Sequence, residues 1–153
     1  KINHPTAKLI LVGPLESELD PLSSQTLEAI ENVKEIISVG YQQDVRLYFS
    51  ISNCLVFPSY REGFQNVVMQ AGAMELPSIV SNINGCNEIV VHHENGLIIP
   101  VKNEIALLES MTTMMEDKPL YTKLRTNARA MIVNRYEQMV VWRALQSEYQ
   151  QVD

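Results

Sequence analysis

Leu55-Val56-Phe57-Pro58-Ser59-Tyr60-Arg61-Glu62-Gly63-Phe64-Gln65-Asn66 contains a strand, a loop and the opening of a helix. The apolar triplet Leu55-Val56-Phe57 is ended by Pro58, which cannot donate to a sheet ladder. From Asn66 to Met74, the apolar residues Val67, Ala71 and Met74 recur at helical spacing, which predicts a helix with that face on the core. Ser78-Ile79-Val80-Ser81 follows as another strand. A strand, a covering helix and a second strand make a βαβ unit, whose two strands run parallel.

The same alternation extends both ways. Upstream, Lys8-Leu9-Ile10-Leu11-Val12-Gly13 reads as a buried strand and Pro14 to Ser23 as a polar loop containing Asp20-Pro21. A helix capped by Ser23 or Ser24 should run to about Asn32 with Leu27 and Ile30 inward. Glu35 to Gly40 is a second strand, and Asp44 to Ser50 a short helix with Val45, Tyr48 and Phe49 on one side. Downstream, Asn84-Gly85 and Asn95-Gly96 mark turns, Glu88 to Val91 is a brief ordered piece, and Gly96 to Pro100 is a fifth strand. From Asn103 onward the pattern is helical only. Ile105, Leu108, Met111 and Met115 make one stripe, then Leu120, Leu124, Ala128, Met131 and Ile132, then Met139, Trp142, Leu145 and Tyr149. The expected fold is α/β: a Rossmann-like parallel sheet with helices on both faces and a helical C-terminal tail over residues 103–153. Ligands of such sheets bind outside the carboxyl ends of the strands. Here those ends are Gly13, Gly40, Pro58 to Phe64, and Asn82 to Gly85.

Composition narrows the function. The 153 residues are 46% hydrophobic, with 12 basic against 18 acidic side chains and a net charge of −6. This suits one globular domain and excludes disordered, collagenous and disulfide-scaffold classes. An acidic balance argues against a nucleic-acid partner. There is no run of 18 apolar residues, and Lys1-Ile2-Asn3-His4-Pro5 does not read as a signal peptide, so a cytoplasmic setting is expected. Cys54 and Cys86 lie 32 residues apart and read as small buried residues in a reducing compartment. His92-His93-Glu94 lacks the second helical histidine of HExxH, since Leu97 stands there; histidines adjacent in a strand would also face opposite ways, and no metal site is expected. No GxGxxG, Walker A loop or GxSxG elbow is present. The seven methionines fit helical core stripes.

The loop after the third strand has ligand-binding ingredients. Glu62 is a charged acceptor beside Gly63, where backbone can approach a ligand closely. The helix opening near Gln65 presents free N–H groups and a positive dipole end, suited to phosphate. Gln70 follows Glu62 by eight residues, so both side chains can reach one cleft. A surface Glu, a turn Gly and a solvated Gln account for the same residues.

Six stretches in order carry a resemblance. His4 to Gly13 resembles the start of the second half of the donor-binding domain in family 4 glycosyltransferases of GT-B architecture. Val39-Gly40-Tyr41 is similar to their hydrophobic-Gly-hydrophobic turn, and Pro58 to Phe64 to their best-known signature. Leu76-Pro77-Ser78-Ile79-Val80 resembles "GLPVVA", with Glu75 in the Gly position. Asn84 to Val90 resembles "GGxxEIV", and Glu94 to Pro100 "ENGLLVP". The bacterial capsule and surface-polysaccharide branch is the nearest likeness.

The resemblance implies a role for each matching position. Glu62 takes the first acid of an E-x7-E pair, set against the donor sugar near its anomeric carbon. A carboxylate there can stabilise an oxocarbenium-like transition state. Gly63 and Phe64 offer backbone N–H groups to sugar or phosphate, and Arg61, Gln65 and Asn66 complete that part of the donor site. The second acid, expected on the ribose hydroxyls, is replaced by Gln70; its amide accepts and donates but loses charge-assisted pairing. Gly13 and the Gly40-Tyr41 turn flank the nucleotide. Asn84, Gly85 and Glu88 either face the cleft or cap a short helix. The implied reaction is anomer-retaining and metal-free, moving a sugar from a nucleotide sugar, as a UDP-sugar, to a growing polysaccharide or lipid-linked glycan. Enzymes of this kind have two Rossmann-like domains. The acceptor-binding N-terminal domain and the Arg/Lys element for the diphosphate have no counterpart in this stretch, so it reads as a truncated donor half, inactive alone. Lys118, Arg125 and Arg129 share a helical face, either solvated or set against anionic lipid at the inner membrane surface or the absent domain. The last helix, around Trp142, either crosses back to that domain or packs at home. A non-catalytic Rossmann-like interaction module is the rival reading, supported by Gln70. A receiver domain is excluded, because Gly13-Pro14-Leu15 stands where its acidic pair would follow the first strand.

Overall fold

The computed structural model describes residues 4–15, 21–61 and 63–150. Parallel pairing holds throughout, in one two-stranded and one three-stranded sheet, where the sequence suggests a continuous sheet. Each sheet pairs strands consecutive in the chain, as short crossover connections favour. The chain divides into two compact units, Lys1–Tyr48 and Phe49–Asp153.

In the first unit, strand β1 (Leu9–Leu11) pairs with β2 (Ile36–Ser38) in the register Leu9↔Ile36, Ile10↔Ile37, Leu11↔Ser38. Between them runs helix α1 (Ser24–Asn32), started by Ser23, whose side chain accepts from the Thr26 N–H at 3.1 Å. No described residue of this unit is buried. Leu9, Leu27 and Ile37 are each more than a third exposed, against the expectation of a buried strand and an inward Leu27. A parallel strand is hidden only when both faces are covered, and α1 is the helix this unit offers. The Pro14–Ser23 loop falls partly outside the described residues.

Helix α2 (Arg46–Ile51) begins where Asp44 accepts from the Arg46 backbone N–H at 3.0 Å and pairs with its guanidinium at 2.6 Å. These bonds hold the Asp44 carboxyl down at about 2, though both groups are exposed. Tyr48 is half-buried and Phe49 buried, as the spacing predicts.

The second unit contains β3 (Leu55–Phe57), α3 (Asn66–Ala73), β4 (Ser78–Ser81), β5 (Gly96–Ile99), α4 (Glu104–Glu116), α5 (Lys118–Tyr136) and α6 (Gln138–Gln150), with strand order β3-β4-β5. Period-two alternation sorts the strand residues between two apolar layers. Leu55, Phe57, Val80 and Ile98 pack with Val68, Cys86, Ile89 and Ile132. Val56, Ile79, Leu97 and Ile99 pack with Leu107, Met111, Met114 and Leu124. With 19 residues, α5 is roughly 28 Å long. It therefore serves both layers, Leu124 entering one and Ile132 the other. Asn103 and Asp117 cap α4 and α5, accepting from Ala106 and Leu120 N–H at 2.9 Å each.

Two helix faces differ from their sequence reading, and the apolar face of a third stands open. On α4, Ile105 and Leu108 are 71% and 66% exposed, while Ala106, Leu107, Met111 and Met114 meet the sheet. Apolar residues surround most of this helix, so two faces satisfy the spacing and the sheet selects one. On α3, Val68, Ala71 and Gly72 are buried and Met74 is exposed. On α6, Met139, Trp142, Leu145 and Tyr149 are all exposed, Tyr149 by 74%.

Candidate functional site

Because β3, β4 and β5 run parallel, the segments after them leave the sheet at one edge. These are the loop beginning at Pro58, the turns after Ser81, and Pro100 to Asn103. The Lys102 ammonium sits 4.9 Å above the centre of the Tyr60 ring. Pro58, Tyr60, Ser81, Pro100 and Lys102 help line a cavity of about 190 Å³ between them.

The loop is placed by backbone contact. Gly85 adopts φ +80° and lies so close that a side-chain carbon on it would stand 1.8 Å from the Gly63 carbonyl oxygen and 3.2 Å from the Phe64 Cα. Only glycine permits this approach. No helix follows Asn84–Gly85, and Gly85 seats the Gly63–Phe64 backbone. The following residues form hydrogen-bonded turns, with the Cys86 and Asn87 N–H groups donating to the Ile83 carbonyl at 3.2 and 3.0 Å. The Asn87 amide donates to Asn82 Oδ1 at 3.0 Å.

The Gly63–Phe64 backbone leads directly into α3. Its N-cap, Gln65, is extended and makes no side-chain capping bond to the helix. The first-turn amides and positive dipole end thus lie beside Gly63 and Phe64, as an anion seat requires. Asn66 and Gln70 lie on α3, and Gln70, Arg61 and Gly63 are exposed. The structure joins Gly63, Phe64, Gln65, Asn66 and Gln70 in one strand–loop–helix element. Glu62 lies outside the described residues.

In the first unit, the Gly13 N–H donates to the Gly40 carbonyl at 2.9 Å, just beyond the ends of β1 and β2. Gly40 is left-handed at φ +64°, and the next residue, Tyr41, is 75% exposed. Gly13, Gly40 and Tyr41 are thus brought together at one strand end, as their spacing suggests.

Two residues that no sequence motif flagged brace the loop's support. The Tyr136 hydroxyl donates to the Glu88 carbonyl at 2.8 Å, and the Arg135 guanidinium donates to the same oxygen. The Tyr136 ring meets Phe64 edge-on at 5.4 Å. Tyr136 is 72 residues from Phe64 in sequence, and local periodicity cannot reveal such a pair. Of the basic face on α5, Arg129 is solvent-exposed and also donates to the Ala73 carbonyl at the end of α3.

Three further polar clusters have structural roles. Asn95 is buried, accepting from the Val91 N–H at 2.7 Å and donating to the Ile89 carbonyl at 3.2 Å. Lys123 pairs with Glu94 at 2.6 Å. His92 Nδ1 accepts from the Ile98 N–H at 2.9 Å, and its pKa is lowered by burial and by neighbouring His93. The two rings lie 4.1 Å apart rather than on opposite faces, since His92 makes an isolated bridge to Gly96 and His93, at φ +63°, turns away from extended backbone. Among the described residues, no three His, Cys, Asp or Glu side chains gather as metal ligands. Cys54 and Cys86 are both free thiols. Cys54 is only partly buried as a residue, yet its sulfur is sunk at the base of the sheet, and burial pushes the thiol up to about 12. No helix among the described residues is long and apolar enough to cross a membrane.

Comparison with known proteins gives the family and the fold. The family model described as "Glycosyl transferases group 1" matches residues 1–131. The capsular polysaccharide biosynthesis glycosyltransferase CapM of Staphylococcus aureus is 30% identical over 142 residues, covering 93% of this chain and 37% of the relative. An Escherichia coli UDP-Gal:alpha-D-GlcNAc-diphosphoundecaprenol alpha-1,3-galactosyltransferase is 30% identical over 103 residues, covering 67% of this chain and 26% of that protein. The crystal structure of Anabaena HepE in complex with UDP superposes with a TM-score of 0.84 at 21% identity, covering 96% of this chain and 42% of that one. The chain thus spans well under half the length of these proteins.

Proposed function

The chain belongs to the glycosyl transferases group 1 family, and on that premise we propose that it is the donor-binding part of an anomer-retaining glycosyltransferase using a UDP-sugar. The observation that carries this reading is the β3–loop–α3 element, with Gly63 and Phe64 held against Gly85 at the carboxyl edge of a parallel sheet. The nucleoside diphosphate would lie against the opening turn of α3. Gln70 would meet the ribose hydroxyls. Gly13, Gly40 and Tyr41 would flank the nucleotide, with Arg61, Gln65 and Asn66 completing the set.

In the reaction, the bond between the anomeric carbon and the diphosphate oxygen breaks and its electron pair leaves with the nucleotide. An acceptor hydroxyl oxygen takes its place on the same face of the sugar, and its proton passes to the departing diphosphate oxygen. Glu62 is assigned the role of stabilising positive charge at the anomeric carbon as that bond opens. The catalytic cycle is metal-free in this reading, so chelation with EDTA leaves turnover unchanged.

The acceptor is a growing polysaccharide or lipid-linked glycan, reached at the cytoplasmic face of the membrane. Its binding half lies outside this stretch, in keeping with relatives more than twice as long. The names of those relatives, a capsular glycosyltransferase and one acting on a diphosphoundecaprenol acceptor, support that choice of acceptor.

Titration of the chain with UDP should shift the amide signals of Gly63 to Gln70 in an NMR spectrum. In the full-length enzyme, Glu62→Gln should lower kcat by on the order of a hundredfold or more with a small change in KM. Turnover that survives Glu62→Ala would instead favour a non-catalytic role for this loop. Absence of UDP shifts in a full-length protein would remove the donor-site assignment.

A further inference from the structure

We propose that Tyr136, at the end of α5, is a positioning residue that holds the donor loop in its binding geometry; this rests on the loop's assignment as the donor site. Three contacts converge on the same few atoms. The Tyr136 ring meets Phe64 edge-on at 5.4 Å between centres and an interplanar angle of 67°. Its hydroxyl donates to the Glu88 carbonyl at 2.8 Å. The turns running back from Glu88 present Gly85, which sits against the Gly63 carbonyl and the Phe64 Cα. Tyr136 therefore grips the loop directly through Phe64 and indirectly through the Glu88–Gly85 turns.

The need for such a clamp follows from local structure. Residues 58–61 and 63–65 form no regular element, and Gly63 and Phe64 are exposed. Phe64 is 47% exposed, so the Tyr136 ring provides its packing on an otherwise open side. Arg135 adds a second anchor, donating to the Glu88 carbonyl and lying 4.9 Å from the Tyr136 ring centre. The other end of α5 has no such task. Lys123 and Asn127 bind Glu94, in the turn before β5. One helix thus supports the sheet with its first half and positions the donor loop with its last turn.

The test uses the full-length protein with UDP as probe and reads loop order separately from ligand affinity. In the wild type, ¹⁵N order parameters at Gly63 and Phe64 should lie near the rigid value of about 0.85, and in Tyr136→Leu they should fall below about 0.6. UDP affinity should weaken about tenfold in the same variant, in the lower part of the range for losing an aromatic pair together with a hydrogen bond. Tyr136→Phe keeps the ring contact while Arg135 still serves the Glu88 carbonyl, so it should stay within about threefold of wild type. Phe64→Leu, at an exposed position that does not endanger the fold, should loosen Gly63 similarly. Adding Tyr136→Leu to it should cost little more, as coupled residues are non-additive. Lys123→Met, which breaks the α5–Glu94 pair, should leave loop order and UDP affinity unchanged. Order parameters unaltered in both Tyr136→Leu and Phe64→Leu, or equally altered in Lys123→Met, would overturn the proposal. Loosening of the loop in a protein that binds no UDP would support the positioning role while removing the donor-site reading.

Discussion

The two units are built from the same kind of sequence and end up with different interiors. Both pair short apolar strands in parallel across a helix, β1 with β2 across α1 and β3 with β4 across α3. In Phe49–Asp153 the three strands lie between two apolar layers, and residues such as Val80, Leu124 and Ala71 lose almost all contact with water. In Lys1–Tyr48 no described residue is buried, and Leu9, Val12 and Ile37 remain well exposed. Strand hydrophobicity is therefore a request for cover on both faces rather than a guarantee of it. At about 25 cal/mol per Å², the apolar area hidden decides stability, and α3, α4 and α5 hide it only in the second unit.

That contrast can be broken by experiment. The largest difference is expected from trimming an apolar side chain in each unit. Leu124→Ala empties a site with no solvent exposure and should cost about 2–5 kcal/mol in urea unfolding. Leu27→Ala, at a position already 37% exposed, should cost less than about 1 kcal/mol. Equal losses would mean that the first unit has a core of its own.

The glycines give the next test. Gly85→Ala forces a carbon to within 1.8 Å of the Gly63 carbonyl and should destabilise by more than about 2 kcal/mol while displacing the donor loop. At Gly40 a side-chain carbon meets nothing within 4 Å, so Gly40→Ala carries only the strain of its positive φ, about 1 kcal/mol. A UDP titration that shifts the same amides in Gly85→Ala as in wild type would refute the seating role of Gly85.

A smaller effect is expected from pH. Burial and His93 hold the His92 pKa below its ordinary 6.5, and the Ile98 N–H is donated to its neutral Nδ1. The unfolded chain therefore takes up this proton before the folded one does, so this contribution to stability is present above pH 6.5 and fades as pH falls below it. His92→Gln should flatten the dependence of melting temperature on pH across that window. Smallest of all is Lys123→Met, where an exposed pair is removed and the change should be under about 1 kcal/mol.

Much of this was legible in sequence because it depends on neighbours along the chain. The end of β3 follows from Pro58, and Ser23 caps α1 as a short polar residue does. The strand–loop–helix site was visible in the same way, with Gly63, Gln65 and Gln70 in a single short stretch. Less was legible where several faces of one helix are apolar. On α4, spacing favoured Ile105 and Leu108, and the sheet took Leu107 and Met114 instead. On α6, Trp142 and Leu145 repeat at core spacing yet stand exposed, because helical periodicity marks a face without supplying its partner.

By itself, then, the sequence determined the element order, the parallel α/β class and the loop that carries the proposed chemistry, since propensity, capping and turn residues act within a few positions. Tertiary structure decided which faces are buried, why Gly85 must be glycine, and that Tyr136 stands against Phe64. Those outcomes depend on atoms brought together from distant parts of the chain, and no local pattern encodes a contact between residues 72 positions apart.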